Sequence, residues 1–83
     1  MQNNNIKLTS LLAQILNIKP SDVSDLTSPE NTPSWDSFNA LVIITGIETE
    51  FNVSLNMDDI SSMSNVADIK KILKNNGIEF EDR

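Results

Sequence analysis

The stretch that decides the fold is PSWDSFNALVIITGIETEF, residues 33–51. It holds the longest uninterrupted apolar run of the chain, ALVII, whose composition is typical of a strand. Its length and its beginning favour a helix instead. Asp36 and Ser37 are both good N-capping residues, and an acidic side chain there suits the positive end of the helix dipole. We therefore predict a helix that begins at this pair and ends at Phe51.

The predicted helix is apolar on more than one face, although a single stripe is enough to seal a small core. That stripe consists of Ala40, Ile43, Ile44, Ile47 and Phe51. Beside it or beyond it lie Phe38, Leu41, Val42 and Thr45. Because the chain has only two other good helices, we expect an exposed apolar patch rimmed by Asp36, Glu48 and Glu50. The alternative is that Leu41 and Val42 widen the contact with the core.

The residues before this stretch predict a helix followed by a long loop. Apolar residues recur at spacings of three and four over residues 6–18, which indicates an amphipathic helix, and Pro20 ends it. Residues 20–35 hold all three prolines, and we predict that they form a long ordered loop. Three side chains of this loop are apolar enough to anchor it: Val23, Leu26 and Trp35.

The residues after it predict two further helices. Residues 57–63 form at most a short one, and a clearer helix begins after Ser64 or Asn65 and stops at Gly77. The sequence therefore predicts an all-α fold, a small four-helix bundle with a long first loop and a short third helix.

The length of the chain predicts one domain, residues 1–83. We expect residues 1–5 to be disordered and residues 78–83 to form a tail that packs through Ile78 and Phe80 or frays.

The composition argues against an enzyme. The chain contains no Cys, no His and no Tyr, which excludes thiol nucleophiles, imidazole bases, thiolate or imidazole metal ligands and phenol acids. Disulfides cannot stabilise it, so the fold depends on helix packing.

Negative charge is concentrated in the middle of the chain. Residues 20–69 contain nine acidic residues and no basic one. Such a surface repels nucleic acid and anionic membranes and favours partners with basic surfaces. The longest apolar run is five residues, and no signal peptide is visible, so we expect no stable membrane insertion and a cytoplasmic location.

Residues 34–73 resemble the acyl carrier protein family. The shared features are an Asp-Ser motif at the start of the second helix, an apolar and acidic helix ending in Glu48-x-x-Phe51, a short third helix, and a fourth helix introduced by an apolar residue and Asp. The first helix and the proline-rich loop fit the same plan.

The resemblance implies a carrier that performs no catalysis of its own and that, because it must visit several enzymes, is most simply a monomer. Ser37 would accept a phosphopantetheine arm from coenzyme A through a separate, magnesium-dependent phosphopantetheinyl transferase, and the thiol of the arm would hold an acyl group as a thioester. Asp36 would be recognised by the transferase and its metal. Acyl-loading and acyl-transferring enzymes with basic patches would bind a docking face. That face would consist of Phe38, Leu41, Val42, Thr45 and Glu48.

The departures from the family narrow the expected role. Carriers of primary fatty acid synthesis usually have Gly or a similarly small residue two positions before the Asp and further acids just after the serine. This chain has Ser34-Trp35 before Asp36, and Asn39 and Val42 where acids are expected. We therefore expect a dedicated carrier for a specialised acyl, aminoacyl or polyketide-like pathway. The Gly-Gly-x-Ser of peptidyl carriers is absent, and a carrier of D-alanine for cell-wall polymers stays open.

Other readings of the same residues are weaker. An unmodified helical interaction domain would use the same apolar patch but would not need Asp-Ser at the helix start. A hydrolase would need a base near Ser37, and we expect no His or Lys within its reach. A calcium site at Asp58 and Asp59 lacks the alternating oxygen ligands and the turn glycine of a binding loop.

Overall fold

The computed structural model describes residues 3–80. Within them the chain forms four α-helices and no strand: α1 (Asn4–Leu16), α2 (Ser37–Phe51), α3 (Met57–Ser61) and α4 (Val66–Asn75). One turn of 3-10 helix, Pro20–Asp22, lies in the loop between α1 and α2. The predicted small helical bundle, with its long first loop and short third helix, is confirmed. None of the helices in residues 3–80 has the length and apolar character that crossing a membrane requires.

The core is built by one face of each long helix together with the tryptophan that precedes α2. Its buried side chains are Leu8, Leu12 and Leu16 of α1, Trp35 before α2, Ile43, Ile47 and Phe51 of α2, and Val66, Ile69 and Leu73 of α4. The spacings of three and four along each helix place these residues on a single stripe. Of the stripe predicted for α2, Ala40 and Ile44 are only partly buried.

Short polar side chains set the helix boundaries. Each of the four helices has a side-chain N-cap, and the capping residues are Asn3, Asp36, Asn56 and Asn65. Asn17 and Asn52 end α1 and α2 with φ of 57° and 56°, in the left-handed region that Asn tolerates better than most residues.

Helix α1 begins and ends two residues before the predicted bounds. The side chain of Asn3 accepts hydrogen bonds from the backbone N–H groups of Asn5 and Ile6, which starts the helix at Asn4. Residues 3–5 therefore belong to the cap and the first turn, which differs from the disorder predicted for residues 1–5. The first two residues of that segment lie outside the described residues.

The loop of residues 17–36 is folded against α4. Its carbonyl groups at Thr27 and Asp25 accept hydrogen bonds from the N–H groups of Val66 and Ala67, each at 3.1 Å. Lys70 Nζ lies 2.8 Å from Asp25 Oδ1. The loop thus supplies acceptors for the first turn of α4, whose N–H groups have no partner within the helix.

The anchors of this loop are only partly those predicted. Trp35 is buried and Val23 packs against the core, but Leu26 is 76% exposed and anchors nothing. The loop is held at this point by hydrogen bonds instead, because the Asn31 amide donates to the Leu26 carbonyl at 2.8 Å.

The segment after α4 packs back on the bundle. Gly77 turns the chain with φ of 89°, a conformation that favours glycine. Ile78 and Phe80 then lie partly buried against the core, and the Phe80 ring is 6.4 Å from that of Phe51. Of the two alternatives for the tail, packing through Ile78 and Phe80 is the one observed, and residues 81–83 lie outside the described residues.

Candidate functional site

Ser37 is the first residue of α2, and its side chain is exposed. The helix is capped by its neighbour, because Asp36 Oδ1 accepts a hydrogen bond from the Asn39 N–H at 2.8 Å. Within residues 3–80 the Ser37 hydroxyl makes no hydrogen bond. Of the two capping candidates only Asp36 is used, so the hydroxyl of Ser37 has no structural task in the described part of the chain.

The start of α2 is fixed on both sides of Asp36. The buried Trp35 ring anchors the chain in the core, and the backbone N–H of Trp35 donates to the Thr32 carbonyl at 2.9 Å. The Asn39 amide donates to the Ser34 carbonyl at 2.7 Å. Trp35 and Asn39, which depart from the pattern of primary fatty acid carriers, therefore hold Ser37 in place.

Two backbone donors lie free at the same point. The first bond of α2 runs from the Ala40 N–H to the Asp36 carbonyl at 2.8 Å, and the Asn39 N–H is used by the cap. The N–H groups of Ser37 and Phe38 have no partner among residues 3–80. Free donors and the positive end of the helix dipole together favour an anion beside Ser37.

An open apolar groove of about 500 Å³ lies between α1 and α2, and we call it the α1–α2 groove. Leu11 and Ile15 line it from α1, and Phe38, Leu41 and Val42 from α2. Phe38 is 73% exposed and Leu41 65% exposed. The predicted exposed apolar patch is confirmed, and the alternative that Leu41 widens the core contact is wrong; of the predicted acidic rim, Glu50 lines the groove and Asp36 and Glu48 do not. Val42 is half-buried.

Gly46 forms the floor of the α1–α2 groove. A Cβ atom at this position would lie 3.2 Å from Leu11 Cδ1 and 3.4 Å from Ile15 Cδ1. The absence of a side chain therefore lets the Leu11 and Ile15 side chains of α1 approach α2 closely at this point. Thr45 and Thr49 complete the lining on α2.

Sequence reasoning missed several residues of the groove: Leu11, Ile15, Gly46 and Thr49. Leu11 and Ile15 belong to the apolar residues that recur along the first helix, and they are only partly buried. The signal that could have found the groove was the glycine itself, since a glycine inside an otherwise apolar helix often marks a close approach of another element.

The two glutamates near the end of α2 have different surroundings. Glu48 Oε2 accepts a hydrogen bond from the Leu55 N–H at 2.9 Å, and Glu48 is not part of the groove lining. Glu50 is exposed and lines the groove. The role of Glu48 in docking stays a prediction, and Glu50 is the acidic residue that the structure brings to the apolar surface.

The acidic pair at the start of α3 has a structural task. The Asp59 carboxylate accepts a hydrogen bond from the Asn56 N–H at 3.3 Å, and the Asn56 side chain accepts one from the Asp59 N–H at 2.8 Å, a reciprocal capping box. Across the described residues no group of three or more acidic side chains is arranged to hold a metal ion.

The chain matches no protein-family model and no curated protein. What it does must therefore be argued from the exposed serine at the start of α2, the free donors around it and the apolar groove beside it.

Proposed function

We propose that this protein is an acyl carrier protein, with Ser37 as the attachment site of phosphopantetheine. The observation that carries the proposal is the Ser37 hydroxyl, which is exposed at the first position of a 15-residue helix while Asp36 does the capping. A serine at a helix start usually serves as the cap. Here a second residue has taken that task, and the serine is available for modification.

The surroundings of Ser37 suit a phosphodiester. The free N–H groups of Ser37 and Phe38 and the helix dipole offset its negative charge, and no cavity has to open for it. Asp36 is exposed, and the Oδ2 atom of its carboxylate makes no hydrogen bond among the described residues. One carboxylate can therefore cap the helix through Oδ1 and be recognised by a transferase and its metal through Oδ2.

The loading step needs a second protein. The Ser37 Oγ atom would form a phosphoester, the pyrophosphate bond of coenzyme A would break, and the nucleotide part would leave. The hydroxyl proton would go to a base of the transferase, because this chain has no His, Cys or Tyr. The arm, when bound, supplies the thiol that holds an acyl group as a thioester, which a chain without cysteine cannot provide itself.

The negative charge in the middle of the chain supports the proposal that its partner enzymes have basic surfaces. Nine acidic residues and no basic one lie in residues 20–69, which include Ser37 and the whole of α2. A charged surface of this kind steers oppositely charged partners and raises the rate of association. As parts of the same proposal, the carrier is a cytoplasmic monomer. It serves a dedicated pathway, because Asn39 and Val42 are neutral where carriers of primary fatty acid synthesis have acidic residues.

Intact mass spectrometry tests the attachment site. The protein is incubated with coenzyme A, magnesium and a broad-specificity phosphopantetheinyl transferase, together with the variants Ser37→Ala and Ser61→Ala. Ser61 is a matched control, since it is another exposed serine in a helix. We expect the wild type and Ser61→Ala to gain the mass of one phosphopantetheine and Ser37→Ala to gain none. Loading of Ser37→Ala would contradict the assignment.

The α1–α2 groove supports a second candidate function, an unmodified helical interaction domain. The groove is lined without Ser37 and would be present in a protein that is never modified. A wild-type protein that gains no mass with several transferases, while remaining folded by circular dichroism, would favour this function over the carrier.

A further inference from the structure

We propose that Asn76 is a site of spontaneous chemical modification, at which the side-chain amide is lost and the backbone is converted in part to an iso-aspartyl linkage. Asn76 and Gly77 form the only Asn-Gly pair of the chain, and both residues are exposed. Water is the only co-reactant that the reaction needs. The site lies at the end of α4, and the inference does not rest on the proposed carrier function.

The modification proceeds in two steps. In the first, the backbone nitrogen of Gly77 bonds to Cγ of Asn76, the bond between Cγ and Nδ2 breaks, and ammonia leaves with the proton that the backbone nitrogen loses. The product is a five-membered succinimide ring. In the second step, water adds to one of the two ring carbonyl carbons, and the bond from that carbon to the nitrogen breaks. Opening at Cγ gives aspartate. Opening at the backbone carbonyl carbon gives iso-aspartate, whose main chain is longer by a methylene group.

The residue that follows an asparagine decides how easily this ring closes. A side chain there crowds the attacking nitrogen, and a branched Cβ restricts its rotation most. At four other helix caps the residue after the asparagine has a large side chain: Ile18 after Asn17, Val53 after Asn52, Met57 after Asn56 and Val66 after Asn65.

Gly77 removes this steric hindrance. Apart from its neighbours in the chain, no atom of residues 3–80 lies within 4 Å of the position that a Cβ would take at Gly77. Glycine also rotates more freely than any other residue. Asn76 is therefore the asparagine at which ring closure meets the least resistance.

The folded end of α4 engages the attacking nitrogen. The Gly77 N–H donates to the Lys74 carbonyl at 3.0 Å, and the Ile78 N–H donates to the Leu73 carbonyl at 2.9 Å. Together with the φ of 89° at Gly77, these two hydrogen bonds form a Schellman motif, a common end of an α-helix. The nitrogen that must attack is held by this motif in the folded protein.

The conformation of Asn76 also keeps the two reacting groups apart. Its Nδ2 group donates to the Ile72 carbonyl at 2.9 Å, and its ψ is 14°. Ring closure requires rotation about the Cα–C bond of Asn76, which turns the Gly77 nitrogen towards Cγ and breaks the hydrogen bond to Lys74. The modification therefore takes place in molecules whose Schellman motif has opened, and its rate depends on how often the motif opens.

The segment after Gly77 holds the motif closed. Phe80 is partly buried against the core, and its ring lies 6.4 Å from that of Phe51. The Glu79 carbonyl accepts a hydrogen bond from the Asn4 side-chain amide at 2.7 Å. Rotation before Gly77 displaces both contacts, so the packing of this segment slows the modification.

The iso-aspartyl product weakens the structure that protects the site. Its additional methylene group lies between Asn76 and Gly77, so the hydrogen bonds of the Schellman motif can no longer form together. Its new carboxylate lies at the C-terminus of α4, where the helix dipole disfavours negative charge. We expect the modified protein to release Ile78 and Phe80 from the core.

Peptide mapping by mass spectrometry tests the assignment. The purified protein is kept in mildly alkaline buffer at physiological temperature, and samples are taken over several weeks. Loss of the amide replaces an NH2 group by an OH group, and electron-transfer fragmentation distinguishes aspartate from iso-aspartate. Asn75 is an internal control, because it is also exposed but is followed by a side chain. We expect the reaction to be at least about tenfold faster at Asn76 than at Asn75, since glycine frees the attacking nitrogen.

Two variants test the protection by the packed segment. Phe80→Ala removes the contact with Phe51, and Leu26→Ala truncates an exposed apolar residue in the loop before α2. We expect Phe80→Ala to accelerate amide loss at Asn76 about fivefold or more in native buffer, because an aromatic contact is lost, and Leu26→Ala to leave the rate unchanged. In concentrated urea the motif is open, and all three proteins should react at one faster rate. Circular dichroism checks that the variants are folded in native buffer.

Amide hydrogen exchange tests the consequence of the modification. The iso-aspartyl fraction is separated by ion exchange and compared with Asn76→Asp, which has the new charge but an unaltered backbone. We expect the Ile78 N–H to exchange at least about tenfold faster in the iso-aspartyl fraction than in this variant. Equal exchange would contradict release of the segment.

Two further results would overturn the proposal. Equal rates of amide loss at Asn76 and Asn75, or no loss at Asn76, would remove the assignment of the site. Equal rates for the wild type and Phe80→Ala in native buffer would show that opening of the Schellman motif does not control the reaction.

Discussion

Replacing Glu48 by Ala should destabilise the fold more than replacing Glu50 by Ala, although both residues lie in the last turn of α2. Glu48 Oε2 accepts a hydrogen bond from the half-buried Leu55 N–H at 2.9 Å, and the carboxylate of Glu50 makes no hydrogen bond within residues 3–80. The Ala variant of Glu48 leaves that N–H without its acceptor. The Ala variant of Glu50 removes only an exposed charge.

The magnitude follows from the charge of the acceptor. A hydrogen bond to a charged group contributes about 1.5–3 kcal/mol, and the partial exposure of this one places it at the lower end, about 1.5 kcal/mol. Both glutamates lie near the negative end of the helix dipole, and both variants introduce the same residue. The dipole and propensity effects therefore largely cancel in the comparison. The difference corresponds to about 6–12 °C in melting temperature for a domain of this size.

Urea denaturation followed by far-UV circular dichroism measures the difference, with Trp35 fluorescence as a second probe of the same transition. Glu48→Gln is a useful control, because its amide oxygen can still accept the Leu55 N–H and should recover part of the loss. Equal free energies of unfolding for Glu48→Ala and Glu50→Ala would refute the reasoning and return Glu48 to the surface role that the sequence predicts.

Three further predictions concern the loop and the start of α2. Asp36→Ala should cost about 1 kcal/mol of stability as a lost cap and Ser37→Ala less than about 0.5 kcal/mol in urea denaturation; the reverse order would make Ser37 the cap. Trp35→Ala should cost about 3–5 kcal/mol, measured by circular dichroism, and a loss below about 1 kcal/mol would place Trp35 outside the core. Asp25→Asn should cost less than about 1 kcal/mol because its ion pair with Lys70 is exposed, and a larger loss that high salt leaves unchanged would contradict this.

The fold was predictable because the signals that define it are local. The apolar spacing of residues 6–18 and the capping candidate Asn65 require only neighbouring residues to interpret, and the structure places helices at both positions. The early start of α1 was missed because Asn4 and Asn5 are polar, and the prediction relied on the spacing of apolar residues. Their helical state depends on the Asn3 cap.

The candidate site was only partly predictable because it depends on contacts between distant segments. The difference between Glu48 and Glu50 arises from the turn that brings the Leu55 N–H back to α2, and no helical pattern reports that turn. In the same way, the partial exposure of Leu11 and Ile15 depends on the angle at which α1 crosses α2. A helical wheel shows which residues share a face, but it does not show how far the neighbouring helix covers that face.

The hydrogen bonds from the loop to Val66 and Ala67 make residues 25–27 part of a helix that begins far along the chain. Surface loops usually tolerate insertions, but an added residue here would withdraw the acceptors from α4 and expose its first turn. The protein can therefore vary in length around the exposed Pro29 and Glu30 more readily than at Asp25 or Thr27. Opening of the loop and fraying of α4 should accordingly occur as one cooperative event in amide hydrogen exchange.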